Sequence, residues 1–145
     1  MAGIRFTDYY LNELSYKMNP NFNHTTTELN ITPALELGIN ISKSKSEVIT
    51  KLAVTLGDFN SEDTGFVLAI EILGMFEYDD AEIQEYNIQF ETFIKESTIS
   101  ILWSFIRPTV SDIITRGNRF PNYILPVVNV KKMIEENPLD IFYTD

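Results

Sequence analysis

Residues 90–126 read FETFIKESTISILWSFIRPTVSDIITRGNRFPNYILP, and this stretch decides the fold that the sequence predicts. At 3.6 residues per helical turn, residues 90–117 form a helix with two apolar faces. One face carries Ile99, Leu102, Trp103, Ile106, Val110, Ile113 and Ile114, and the other carries Phe90, Ile94, Ile101 and Phe105. A helix on a domain surface needs one apolar stripe, so we expect further protein to cover the second face.

A second copy of the same chain is the simplest cover in a protein of 145 residues. The pattern therefore predicts an oligomer assembled around the long helix. Its predicted subunit interface comprises Ile99, Leu102, Trp103, Phe105, Ile106 and Val110.

Glycine and proline mark the course of the helix. Gly117 suits a left-handed cap after Arg116, whose charge favours the carboxyl end of a helix. Pro108 predicts a kink or a break, because it removes the hydrogen bond to the carbonyl of Ser104. Farther along, Asn129 is expected to cap a short second helix over residues 129–136, which Pro138 ends.

Four strands are predicted before the long helix, because apolar residues there recur with period two. They cover residues 4–18 (with a bulge near Asp8), 34–43, 47–58 and 65–78, and a polar crossover loop joins the first two. The fourth strand is apolar on both faces, which is typical of a central strand or of one beneath a partner, and we favour the partner.

Strands followed by helices predict an α+β fold, a four-stranded antiparallel sheet with the long helix packed on one face and the short helix after it. The length fits a single domain over residues 1–145. The last residues, LDIFYTD, are expected to be loosely held.

Composition excludes several classes of protein. A net charge of −10 argues against nucleic-acid binding, and the absence of cysteine excludes disulfides and thiolate chemistry. No apolar run is long enough for a signal peptide core or a membrane span, so we expect a cytoplasmic protein without membrane insertion.

Catalytic and metal-binding motifs are missing from the sequence. Asp79, Asp80 and Glu82 could suggest a metal site, but a solvated acidic segment is the favoured interpretation of residues 77–96. The single histidine, His24, lies in a polar loop without a nucleophile motif. We therefore predict no enzyme, no metal and no cofactor.

Apolar side chains in loops and extended segments are the remaining functional signal. They are Phe22, Ile31, Phe120, Tyr123 and Ile124. Each could simply hold its loop against the domain. Together they suggest a groove for extended apolar polypeptide, in which each buried large side chain contributes about 1.5–3 kcal/mol.

A family resemblance starts at residues 102–117, LWSFIRPTVSDIITRG, which lead into Phe120-Pro121, Leu125-Pro126 and Val128-Asn129. This arrangement resembles the signature of the SecB family of protein-export chaperones, where a helix of the type LFPYARxxIxxxVxRG runs into FPxLxLxPVN. The strand ending in Gly74-Met75-Phe76 is similar to the last strand of that family. Ser104 stands where the family has proline.

The resemblance implies an ATP-independent chaperone that keeps unfolded precursor polypeptides in apolar grooves, and a homotetramer built as a dimer of dimers. The implied grooves lie beside the crossover loop and the second helix, with Ile31, Phe66, Phe120, Tyr123 and Ile124 as peptide-binding candidates.

Partner docking is also implied by the resemblance. In the family, the export ATPase SecA docks on the outer sheet face, at positions that include those of Glu13, Val67 and Ala69 here, and Glu13 alone of these three is charged. The alternative function is an adaptor dedicated to one defined partner, such as an antitoxin, bound through the face of Val67, Ala69, Leu73 and Met75.

Overall fold

The computed structural model describes residues 3–23, 31, 33–120, 125, 129–137 and 139–144. The elements within these residues are β1 (Ile4–Met18), β2 (Ala34–Ser42), β3 (Glu47–Leu56), β4 (Phe66–Tyr78), α1 (Asp80–Glu85), α2 (Phe90–Gly117), α3 (Val130–Glu136) and β5 (Leu139–Thr144). The α+β class is as predicted, and the long helix and the four predicted strands lie within two residues of their expected bounds.

The described residues form one five-stranded sheet in the order β1-β4-β3-β2-β5. Neighbouring strands are antiparallel except β5, which runs parallel to β2. The prediction of four antiparallel strands was therefore wrong, and the tail, for which no strand was predicted, forms β5. Leu139 and Ile141 alternate toward the core in register with Leu37 and Ile39, which gives the tail a strand pattern and a place to pair.

The core lies between one face of the sheet and α2. Residues paired across neighbouring strands share a face, so the register separates a helix side from an outer side. On the helix side of β4, every second residue is buried, ending with Phe76. Gly74 interrupts this row because Leu102 of α2 packs there: a Cβ at Gly74 would lie 2.6 Å from Cδ2 of Leu102.

The residues predicted at a subunit interface lie largely inside the single chain. Ile99, Leu102, Ile106 and Val110 are fully buried, and Trp103 is nearly so. Phe105 is half-buried, with its ring 4.6 Å from that of Tyr9 and 5.3 Å from that of Phe6. The sheet and the other elements of the same chain bury most of these residues, so their burial alone does not require the second copy that the sequence offered as the simplest cover. A subunit contact at these residues stays a prediction.

Pro108 does not divide α2, which runs without interruption over 28 residues. The helix end also differs from expectation, because Asn118 and not Gly117 takes the left-handed conformation, with φ of 57°. Gly117 is required for another reason: a Cβ there would lie 2.7 Å from the hydroxyl oxygen of Tyr16.

Two bulges shape β1. The register shifts between Phe6 and Asp8, as predicted, and again between Leu11 and Glu13. The first insertion places Tyr9 and Leu11 on the helix side and Tyr10, which pairs with Leu73, on the outer side, and the second shifts the alternation again so that Leu14 lies on the helix side. Simple alternation along residues 4–18 would place Tyr10 on the same face as Phe6, but a single inserted residue reverses the alternation.

Candidate functional site

An open cleft of about 270 Å³ lies between the start of β2, the middle of α2 and α3. Its apolar lining comes from Pro33, Leu35, Trp103 and Met133, one or two residues from each region. Its polar lining comes from Asn129, Lys132, Glu136 and Asn137 on α3 and its two ends. The cleft therefore has an apolar floor and a polar, partly charged rim.

Asparagine side chains position the short helix that forms one wall. The Asn129 side-chain oxygen accepts a hydrogen bond from the backbone N–H of Lys132 at 3.2 Å, which caps the first turn of α3. At the other end, the Asn137 side-chain amide donates to the carbonyl of Met133 at 2.9 Å. A seven-residue helix is marginal alone, so these two contacts and the burial of Met133 hold the wall in place.

Arg107 connects α2 to the segment that leads into α3. Its Nε donates to the carbonyl of Leu125 at 2.9 Å, and Leu125 is fully buried. The cleft wall is thus anchored to α2 at a point one turn beyond Trp103.

The groups that line the cleft are of the kind found on contact surfaces. Lys132 and Glu136 form an exposed ion pair at 3.9 Å along α3. Among the described residues, no group of three or more His, Asp or Glu could hold a metal ion. Small-molecule pockets commonly have volumes of about 300–1,000 Å³ and enclose most of their ligand, so this smaller open cleft suits a side chain of a longer partner.

Three of the predicted peptide-binding residues, Ile31, Phe66 and Phe120, do not line this cleft. Phe66 is 1% exposed and belongs to the core, so it supports neighbouring rings and presents no surface of its own. Phe120 is half-buried, with its ring 5.4 Å from that of Phe66 and 5.9 Å from that of Phe22. Ile31 is half-buried against the core. Tyr123 and Ile124 lie outside the described residues. A binding role for Ile31, Phe120, Tyr123 and Ile124 stays a prediction.

The cleft residues Leu35, Trp103 and Met133 were not assigned to a binding site from the sequence. Leu35 has the pattern of a strand residue, Trp103 that of a helix core and Met133 that of a short helix. The family resemblance implied grooves beside the crossover loop and the second helix, and the cleft lies there.

The three predicted docking residues share the outer face of the sheet. Glu13 pairs with Glu71, and Val67 and Ala69 are half-buried opposite Lys17 and Ser15. Docking of a partner at these residues stays a prediction.

Ion pairs organise the charge of this face. The Lys51 ammonium donates to Glu36 at 2.8 Å, and this hydrogen bond raises the pKa of Lys51 and lowers that of Glu36. Glu71 lies 4.0 Å from the same ammonium, and Arg5 pairs with Glu77. Glu13 has the Glu71 carboxylate opposite it in the register, so two acidic residues are paired at this point of the face.

The acidic segment after β4 has a structural role. The Asp79 carboxylate accepts from the backbone N–H of Glu82 and caps α1, and the Glu82 carboxylate accepts from the N–H of Gly3 at 2.7 Å. These contacts give a structural role to Asp79 and Glu82, two of the three acids that the sequence made candidates for a metal site.

The sequence model described as preprotein translocase subunit SecB matches residues 2–138. The chain belongs to the SecB family. Because this family is not enzymatic, membership confirms the prediction that the chain is not an enzyme. No curated protein matches the chain in sequence.

Two solved structures share the fold of this SecB family member. One is a SecB-like chaperone of Mycobacterium tuberculosis in complex with a ChAD peptide from an antitoxin, with a TM-score of 0.61 and 13% identity over 88% of this chain and 91% of that chain. The other is a protein of unknown function from Streptococcus agalactiae, with a TM-score of 0.50 and 11% identity over 86% of this chain and 97% of that chain.

Among the described residues, no helix is both long enough and apolar enough to cross a membrane.

Proposed function

We propose that the chain is an ATP-independent chaperone that binds extended segments of unfolded polypeptides in the cleft between β2, α2 and α3. The observation that carries the proposal is the apolar floor of this open cleft in a member of the SecB family. An extended chain presents side chains on alternate sides, so one side chain can enter the cleft while its backbone meets the polar rim.

The size of the cleft sets how a client binds. Burying one large apolar side chain contributes about 1.5–3 kcal/mol. A micromolar complex needs about 8 kcal/mol, so the cleft acts together with neighbouring subsites. Ile31, Phe120, Tyr123 and Ile124 are the candidates for those subsites, and binding spread over several of them recognises apolar character rather than one sequence.

Assembly is part of the proposal. We expect a homotetramer, a dimer of dimers, in the cytoplasm, where precursor polypeptides would be held unfolded for translocation. The support is the outer edge of β1, which pairs with no second strand among the described residues and where Tyr9, Leu11, Leu14 and Met18 are exposed on the helix side. A long edge strand with exposed apolar side chains favours pairing with another chain.

The second candidate is an adaptor dedicated to one partner, such as an antitoxin. It is favoured by the solved SecB-like chaperone that holds an antitoxin peptide. In this case the outer face with Val67, Ala69, Leu73 and Met75 would recognise the partner. Docking of SecA belongs to the export function, and Glu13 is the charged residue here that would take part.

The test is aggregation of a reduced, unfolded client with and without the protein, without nucleotide. The chaperone proposal expects near-stoichiometric protein to slow aggregation. Leu35→Ser removes part of the cleft floor and should weaken client binding about tenfold, because about 1.4 kcal/mol corresponds to that factor.

Leu73→Ser is the matched control, since Leu73 is also half-buried but lies on the outer face. Unchanged aggregation at every ratio would contradict the chaperone proposal. Loss of binding in Leu73→Ser with normal binding in Leu35→Ser would favour the adaptor.

A further inference from the structure

The strand β5 covers part of the β2 edge, directly beside the cleft. It pairs with residues 37–42, whereas no described strand pairs with residues 34–36 on that side. Leu35 lies in this uncovered part and also contributes to the cleft floor. Asn137, at the other wall of the cleft, is followed after one residue by Leu139, the start of β5. The cleft and the edge under β5 therefore form one continuous line.

β5 has the chemical character of an unfolded client. Its sequence, LDIFYT, is extended, apolar and aromatic. Leu139 and Ile141 pack against the core, and Phe142 on the other side is 61% exposed. The pairing with β2 uses backbone groups, which any extended polypeptide can supply, and strand addition to a sheet edge is a common mode of peptide recognition.

The side-chain contacts that hold the end of β5 lie at the surface. The Tyr143 hydroxyl donates to Glu91 at 2.5 Å, and the Lys43 ammonium lies 5.0 Å from the centre of the Tyr143 ring. The Thr144 hydroxyl donates to the side-chain oxygen of Asn40 at 3.2 Å. None of the six residues of β5 is fully buried. Local opening free energies are lowest in such short, exposed segments.

We propose that the β2 edge at residues 37–42 is a second polypeptide-binding subsite, that β5 occupies it in the free protein, and that an extended apolar segment seated in the cleft displaces β5. This inference rests on the proposed chaperone function. The covalent tether keeps β5 at an effective concentration on the order of millimolar, so β5 lowers the affinity for short or polar segments. A long apolar segment gains both the cleft and the edge.

The test uses the absence of cysteine in this chain. Asn40 and Phe142 are partners in the β2–β5 register and lie on the outer side. Adjacent strands are about 4.8 Å apart, which is within the range of a disulfide. Asn40→Cys with Phe142→Cys therefore locks β5 on the full-length protein when oxidised and releases it when reduced. The control pair, Asn40→Cys with Ile49→Cys, joins β2 to β3 and leaves β5 free.

The probe is reduced and carboxymethylated lysozyme, which stays unfolded in both redox states. We expect oxidation to weaken its binding about tenfold in the β5 pair and to leave the control pair within about twofold. Equal binding in the two redox states of the β5 pair would overturn the displacement of β5 and leave the chaperone proposal intact. Absence of binding in both states and in the wild type would overturn the chaperone proposal and this inference with it.

A second variant tests the same point without a disulfide. Tyr143→Ala removes the contacts with Glu91 and Lys43 and should raise client affinity several-fold, because it weakens the competitor. Tyr86→Ala is the matched control: Tyr86 is 47% exposed, Tyr143 is 46% exposed, and Tyr86 lies at the end of α1 with its ring stacked on Phe93 of α2. Lower or unchanged affinity in Tyr143→Ala would overturn the inference.

Discussion

The two edges of the described sheet differ in how they are held and in what they present. β1 pairs with β4 over almost its whole 15 residues, and it still exposes Tyr9, Leu11, Leu14 and Met18 on the helix side. β5 is six residues long, runs parallel to β2 and ends in surface contacts. A firmly paired edge with apolar side chains is suited to a lasting subunit contact, whereas a short, exposed strand is suited to exchange. The two edges therefore favour assembly on one side and client binding on the other.

The largest predicted effect is a loss of stability in the core, because both edges of the sheet depend on its packing against α2. Leu102 of α2 is fully buried over Gly74, in the interior strand β4. We predict that Leu102→Ala lowers the free energy of unfolding by about 2–5 kcal/mol, because it leaves a cavity in the core that supports the whole sheet. Urea unfolding measures this loss.

Ile101→Ala is the control for the same helix, since Ile101 is half-buried. Ile101→Ala should lower the free energy of unfolding by clearly less than Leu102→Ala does. Equal losses of unfolding free energy in the two variants would mean that α2 does not hold the sheet through its Leu102 face. The two edges could then not be compared as parts of one common core.

The parts of the fold that the sequence predicted have strong local patterns. β4 alternates over 13 residues, and α2 keeps its helical period for 28 residues between polar segments. β5 was not predicted because six alternating residues after a proline are a weak strand signal. Its pairing with β2 is parallel and joins segments that are distant in sequence, which a local pattern does not reveal. The second bulge of β1 inserts one residue near Asn12, a change that composition does not reveal.

The candidate site was harder to predict because its residues meet only in three dimensions. Leu35, Trp103 and Met133 come from a strand and two helices, and each fits an ordinary core pattern. The two apolar faces of α2 were read correctly, but a periodic pattern cannot tell whether the cover comes from the same chain or from another. In the structure, Ile94 and Leu102 are both fully buried within one chain.

The next prediction concerns the β1 edge. Leu14→Lys places a charge in the exposed apolar row, and we expect it to lower the oligomer mass from the proposed tetramer, near four times 16.7 kDa, because about 1.5–3 kcal/mol of apolar burial is lost at each copy of the contact. Light scattering gives the mass.

Ile49→Lys is the matched control for that edge. Ile49 and Leu14 are both 44% exposed, but Ile49 lies on the outer face of β3. Its mass should equal that of the wild type. A wild-type mass for Leu14→Lys would show that the exposed apolar residues of β1 do not contribute to assembly.

The smallest effect is expected at the contact that fastens β5. The hydrogen bond to Glu91, with burial as the second cause, raises the pKa of Tyr143 from 10.0 to about 12, and Tyr78 of β4 is also nearby. A raised pKa means that the folded protein keeps this proton while the unfolded chain loses it. The contribution to stability is therefore complete below pH 10 and disappears as the pH rises through 12.

We predict that the wild type is more stable than Tyr143→Phe below pH 10, by no more than about 1 kcal/mol because the pair is at the surface, and that this difference vanishes toward pH 12. Urea unfolding of both proteins at several pH values measures it. Glu91→Gln removes the carboxylate that is the largest cause of the raised pKa, so Tyr143→Phe in that background should give a difference that depends less on pH. A wild-type advantage that stays constant from pH 8 to 12 would show that the Glu91 contact does not fasten β5, and the weaker of the two edges would then be held by its backbone pairing with β2.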